Sequence, residues 1–322
     1  MTRHSIGIQR VAGSNVKGLE EYFNQINSEL IRLAGQDQFQ TTRRLGLARE
    51  VQALVKEIYG EMGEEILEQM NEMSAYEIDY MTRALETATT ADIDSSGTAG
   101  MIQRALATPM RVSPGVTQLT IARAVDQYVE NKSLDFFKLV SDGVIEGKTS
   151  SDMVNDVSEL LKVQKGQAES LVRTSTNSIA ASTRAQLFEK NDDVISGYEW
   201  VAKLDGRTTV ICMNLDNQVF KLGKGPLPPA HWRCRSQTVP IVNRKFRKKV
   251  NNEPGGIDES YSQWLARQSK QDQIDILGPT RAKLYQDGGL SISKFVDSDY
   301  QPLTVAQLKE QESAAFKRAG IE

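Results

Sequence analysis

Cys212, His231 and Cys234 are the residues of this chain best equipped for chemistry. Two thiols and an imidazole can hold a soft or borderline cation, and Asp205 or Asp216 stands nearby as a fourth ligand. Structural zinc sites usually take four Cys or His ligands, often with a C-x-x-C knuckle, and here the first half contributes a single Cys. The same thiols could instead close a disulfide around a loop of roughly twenty residues, worth about 3 kcal/mol by loop entropy. A reducing compartment would prevent that bridge. Two buried reduced thiols beside a hydrogen-bonded His231 are the third reading. The expectation is therefore no cofactor, with zinc on Cys212, His231, Cys234 and Asp205 as the alternative.

A Cys–His nucleophile is the sharpest enzymatic reading, since an imidazole can lower a thiol pKa. Only two histidines are present, and His4 belongs to an N-terminus expected to be loose, so His231 would carry all the acid–base work. No spacing signals a group to orient it. The run from Gly143 to Gly147-Lys148-Thr149 looks like a phosphate loop, but three residues separate its glycines where that motif needs four. It also follows a helix pattern, so a helix-to-helix turn is expected.

One dense positive patch stands out: Arg244, Lys245, Arg247, Lys248 and Lys249 surround Phe246. Cations at this density bind phosphates without sequence preference and with strong salt dependence. The formal net charge of the whole chain is -3, which argues against a chain-wide polyanion binder. Any nucleic-acid contact must be local.

The elements that position these groups follow from periodicity. Within residues 48–80, Val51, Leu54, Val55, Ile58, Met62, Ile66, Met70 and Met73 recur every three or four positions. That spacing predicts a long amphipathic helix, with residues 19–33 as its antiparallel partner. Met adapts to irregular surfaces, so this stripe is also an expected docking face for another protein. Residues 87–100 and Ser113-Pro114-Gly115 are turn-rich and frame a short segment at 101–107. Further helices are expected at 117–130, 133–146, 150–163 and 165–189, with breaks near Gly147 and Gly166 and an N-cap at Ser150 or Ser151.

After Asn191 the texture turns to β. Residues 194–204 and 208–212 read as strands joined by a hairpin at Asp205-Gly206, and 217–222 and 237–242 complete a small set. Residues 251–257 break the chain, and short helices follow, with Trp264, Leu265, Ile274, Ile276 and Leu277 as core. The expected fold is mainly α with a small α+β module. Three regions are expected: a helical N-terminal region at 1–115 with a hinge near 87–115, a helical set at 116–192, and a compact module with a helical tail at 193–322. At 322 residues and 39% hydrophobic side chains the chain has material for several cores. No stretch reaches the length a membrane span requires, and the N-terminus lacks a secretory apolar core.

One ordered set of residues carries a resemblance. Tyr198-Glu199-Trp200 is followed by Asp205-Gly206-Arg207-Thr208, Cys212, Asp216, Phe220, Pro228-Pro229, His231, Cys234-Arg235 and Pro240. This resembles the signature of phage Mu F-like head-morphogenesis proteins. In that family an aromatic strand leads to a D-x-R-T turn, a Cys, a Phe-containing strand and a P-P-x-H-x-x-C-R closure. Arg173-Thr174 and Arg184 upstream, and Trp264-Leu265, Gly278, Arg281 and Leu284 downstream, extend the likeness over residues 171–308.

The resemblance implies a minor structural protein of a tailed-phage head, made in the host cytoplasm and carried near the portal of the virion. It implies few copies, a role in head assembly or genome ejection, portal, packaged DNA and scaffold or capsid protein as partners, and no catalysis. Its signature residues here are Asp205, Arg207, Thr208, Cys212, Pro229, His231, Cys234 and Arg235. The rival from another class is a metal-dependent nuclease or peptidase built on Cys212, His231 and Cys234.

Overall fold

The computed structural model describes residues 2–35, 44–110, 112, 119–248 and 259–321. Six helices precede the sheet among these residues: α1 (Thr2–Gly18), α2 (Glu20–Gly35), α3 (Arg44–Ala88), α4 (Thr98–Ala107), α5 (Ile121–Ile145) and α6 (Ser150–Lys190). β1 (Ile195–Val201), α7 (Val210–Leu215), β2 (Val219–Phe220) and β3 (Gln237–Val242) form the module. The tail carries α8 (Tyr261–Ala266), α9 (Lys270–Leu277), α10 (Pro279–Gln286), α11 (Val305–Gln311) and α12 (Ser313–Arg318). The fold is mainly α with a small antiparallel sheet, as expected.

The apolar stripe of α3 is spent inside the protein. Val55, Ile58, Met62, Ile66, Met70 and Met73 are all buried, packed with Phe23 and Ile26 of α2, Val125 and Phe136 of α5, and Val172 and Ile179 of α6. Burying one such side chain contributes roughly 1.5–3 kcal/mol, so this seam is a principal source of cohesion. The methionines are covered, which corrects the expectation that their stripe forms a docking face. Gly63 allows α3 and α5 to close: a Cβ there would meet Val125 Cγ1 at 2.8 Å.

Several boundaries differ from expectation. The N-terminus is helical, and His4 is buried. Residues 117–130 and 133–146 are not two helices, because α5 runs through Asn131-Lys132 with Ser133 buried and its hydroxyl bonded to the Glu130 carbonyl at 3.0 Å. α6 likewise passes Gly166 unbroken. Glycine costs only about 1 kcal/mol inside a helix, less than packing on both sides returns. The N-cap of α6 is Thr149, whose hydroxyl accepts from the Asp152 amide. Gly147 takes the left-handed φ of 72° and makes the turn into it. With Gly143 inside α5, the phosphate-loop look-alike is a helix-to-helix turn.

The sheet order is β2-β1-β3, antiparallel throughout. Asp205-Gly206 does not close a hairpin: the β-branched run after it folds as the short helix α7, entered through Thr209. β1 pairs instead with β3, Tyr198 opposite Pro240 and Trp200 opposite Thr238. One face of the module packs on Ile78, Met81 and Leu85 of α3 and on Leu187 and Phe188 of α6. The tail helices gather Tyr261, Leu265, Leu277, Leu284, Phe295 and Phe316 into a separate core with Met213 of α7. Trp264, Ile274 and Ile276 line its margin, half-buried. The expected turns at Ser113-Pro114-Gly115 and 251–257 lie outside the described residues. Among the described residues no helix is long and apolar enough to cross a membrane.

Candidate functional site

α7 and the loop that precedes β3 bring the three chemical residues together. Asp216, after α7, accepts the Ala202 amide on one oxygen and the Tyr261 amide on the other, each at 2.7 Å, which fixes α7 against the end of β1 and the start of α8. The loop returns through a cis Pro228-Pro229 peptide to His231. A tight turn then closes, with the Cys234 amide donating to the His231 carbonyl at 3.1 Å. Two contacts from α6 hold that turn. Thr174 Oγ1 accepts the Arg233 amide at 2.9 Å, and Asn177 Nδ2 donates to the Cys234 carbonyl at 2.9 Å.

Cys212 Sγ lies 3.7 Å from Cys234 Sγ and 3.3 Å from His231 Nε2. Both thiols are free and each is 1% exposed. His231 Nδ1–H donates to the Trp232 carbonyl at 2.8 Å, which turns Nε2 toward the sulfurs. The hydrogen bond to Cys234, then burial, pushes the Cys212 thiol well up. Burial also opposes charge on Cys234, but hydrogen bonds from Cys212 and His231 outweigh it and bring that thiol well down. Burial lowers His231, while the Cys234 sulfur and the Trp232 carbonyl raise it above its ordinary value. Both sulfurs and Nε2 therefore face one another in a setting closed on one side by the Trp232 carbonyl.

Asp205 does not join this cluster. Arg235 clamps both of its oxygens, at 2.6 and 2.7 Å, and its backbone carbonyl accepts from the Tyr261 hydroxyl at 2.8 Å. Burial raises the Asp205 carboxyl, but the Arg235 guanidinium and the Arg207 amide together hold it below the usual carboxylate range. Thr208 bonds back to the Lys203 carbonyl, so the D-x-R-T residues make a closed turn. The side chain of Arg207 borders, with Lys203, Thr208, Arg235, Ser236, Cys212 and His231, a cavity of about 10 Å³. That is on the order of one water molecule.

A second constellation, of which the sequence singled out Arg184 alone, centres on Glu77. Glu77 of α3, fully buried, accepts from Arg184 Nε at 2.7 Å and from His4 Nε2 at 2.7 Å. Arg184, 1% exposed, also donates to the Thr238 carbonyl and to Gln237 Oε1, both at 2.8 Å. The His4 ring stacks on Tyr80 at 3.6 Å. Burial pushes the Glu77 carboxyl up, and Arg184 and His4 outweigh it and hold it low. One carboxylate thus joins α1, α3, α6 and β3. The available signal was Glu77 itself, a charge standing in register with Met70, Met73 and Met81 on the apolar stripe.

The basic run is partly structural. Arg244–Phe246 form a 3₁₀ turn, and Phe246 packs beside the α3–sheet core with Lys245 Nζ 4.6 Å above its ring. The Lys248 ammonium donates to the Glu86 carbonyl at 2.7 Å and its amide to the Ala88 carbonyl at 3.2 Å, capping α3. Arg247 Nε donates to the Val242 carbonyl at 2.9 Å. Arg244, Lys245, Arg247 and Lys248 are exposed and have no carboxylate partner among the described residues. Lys249 lies outside the described residues.

Residues 135–239 match the family model described as Phage Mu protein F like protein. The match runs from the second half of α5 through α6, β1, α7 and β2 into β3. It begins earlier and ends earlier than the span of 171–308 read from sequence, leaving out the basic run and the tail motifs. No curated protein and no solved structure matches the chain.

Proposed function

We propose that this chain, which carries a phage Mu F-like segment, is a minor structural protein of a tailed-phage head that works by binding, not by turnover. The match over residues 135–239 carries the reading, since it points to head morphogenesis. The structure supports it through the way the signature residues are spent. Asp205 and Arg235 close a turn, Thr174 holds the Arg233 amide, and Arg184 bridges helices to sheet. A nuclease or peptidase on Cys212, His231 and Cys234 would have to present a sulfur to its substrate, and both sulfurs belong to residues only 1% exposed.

In this reading the chain joins the prohead in the host cytoplasm beside the portal, contacts scaffold or capsid protein there, and remains in the virion near packaged DNA, acting in assembly or ejection. Co-expression with the portal of the same phage, followed by sedimentation at low salt, tests docking: co-migration is expected, and complete separation rejects it. Deletion of the gene is expected to lower the yield of filled heads. Normal yield and infectivity would reject a head role.

The DNA contact falls on the exposed cations. Arg244→Gln with Lys245→Gln spares the α3 cap made by Lys248, so it is a better probe than removing the whole run. Each lost phosphate contact on duplex DNA removes about 0.9 from the slope of log affinity against log salt, so the pair should flatten it by about 1.8. An unchanged slope in a folded variant rejects the contact.

A further inference from the structure

We propose that Cys212, His231 and Cys234 form a zinc site that fastens α7 to the loop entering β3. The three donor atoms lie within 4.8 Å of one another, contributed by two separate parts of the chain. A tetrahedral ion with bonds of about 2.3 Å to sulfur and about 2.0 Å to nitrogen sets its two sulfurs about 3.8 Å apart, and sulfur and nitrogen about 3.5 Å apart. The thiols here stand 3.7 Å apart, and Cys212 Sγ is 3.3 Å from His231 Nε2. Two of the three spacings are those of ligands around a common centre, and the third pair, Cys234 Sγ and His231 Nε2, lies within 4.8 Å.

The imidazole is oriented as a ligand requires. Nδ1–H is committed to the Trp232 carbonyl, leaving Nε2 as the coordinating nitrogen, the arrangement in which a hydrogen bond on the far nitrogen fixes a ligating histidine. The supports reach further back. The Cys234 carbonyl is held by Asn177 and the next amide donor, at Arg233, by Thr174, both on α6. Ligand positions are thereby set by a long helix and not by the loop alone.

The fourth position falls to water. Asp205 is clamped by Arg235, and both oxygens of Asp216 accept backbone amides, so neither carboxylate is free to turn inward. The cavity bordered by Cys212 and His231 has room on the order of one water molecule at that position. Coordination releases the thiol protons to solvent and forms two zinc–sulfur bonds. The dication then balances two thiolates and the neutral ring adds no charge, which suits a buried setting.

Full-length protein prepared with reductant and without chelator, then dialysed against zinc and against metal-free buffer, is analysed for bound metal. One zinc per chain is expected in the native protein. Cys212→Ser, Cys234→Ser and His231→Ala should each lose it, while His231→Cys, which restores a donor, should keep it. Because a variant could fail to fold, cobalt is also titrated into the unaltered protein: a sulfur-to-cobalt charge-transfer band with tetrahedral ligand-field intensity is expected, and zinc should raise the melting temperature. No retained metal in the native protein, zinc retained by the Cys212→Ser/Cys234→Ser double variant, or a cobalt spectrum without thiolate bands overturns the proposal.

Discussion

Replacing Arg184 by Met tests how the sheet is joined to the helices. Arg184 and Glu77 are 1% and 0% exposed, and the guanidinium serves three acceptors, Glu77, the Thr238 carbonyl and Gln237. Removing one partner of a buried ion pair costs about 3–5 kcal/mol, because the surviving charge stays buried without its counterion. Unfolding entropy of roughly 2.1 cal/mol/K per residue over about 300 ordered residues converts this into a fall in melting temperature of about 5–8 °C. Scanning calorimetry, checked by urea titration, reads it directly. Arg184→Met with Glu77→Met replaces both charges by apolar groups and should cost less than the sum of the two single changes. A drop of less than about 1 kcal/mol for Arg184→Met, or strict additivity in the double variant, would refute the reasoning.

Three further outcomes are expected. Burial opposes ionisation of Glu77 and Asp205, yet their basic partners hold both carboxyls below their ordinary range. The stability they contribute is therefore complete above the unfolded pKa of about 4 and is lost as pH falls through the lower folded values, so urea midpoints should drop steeply below about pH 4 and stay flat just above it. Gly197→Ala sets a Cβ 2.4 Å from the Phe220 carbonyl oxygen, so β2 must shift, and destabilisation of about 1–3 kcal/mol is expected by thermal melt; a neutral result would mean that β1 and β2 are not so closely paired. Thr149→Ala should cost about 1 kcal/mol by removing the cap of α6, whereas Ser151→Ala, on an exposed side chain, should stay within about 0.5 kcal/mol; equal effects would move the cap.

The helical body was legible because burial and period coincide: the stripe from Val51 to Met73 and the partner residues Phe23, Ile26 and Leu30 are the core of α3 and α2. β1 and β3 were legible from their β-branched and aromatic residues, with β3 at its full extent. The run from Thr208 to Cys212 misled for the same reason. Its β-branched residues suit a strand, but Ile211, Cys212 and Leu215 bury on one side of a short helix, and tertiary packing overrode propensity. α5 and α6 run on through Ser133 and Gly166 because glycine and serine weaken a helix only slightly when both flanks are packed. Cys212, His231 and Cys234 meet through α7 and the turn that closes at Cys234, not through a hairpin at Asp205-Gly206, and the withdrawal of Asp205 into a pair with Arg235 was not legible either, since nothing local links residues thirty positions apart. The burial of His4 has no local signal, since its partner, Glu77, lies 73 positions away.

Glu77 lies outside the matched segment of 135–239, while Arg184 lies within it. Any chimera that grafts the segment onto a foreign helical body must therefore inherit a carboxylate at the matching turn of the recipient helix. Without one, the graft would bring a guanidinium into an apolar seam, and selection would act first on that single recipient position. Interchange among related chains is thus expected to leave its mark as a correlated pair, acid on the long helix and arginine under the sheet, even where the surrounding apolar residues drift freely.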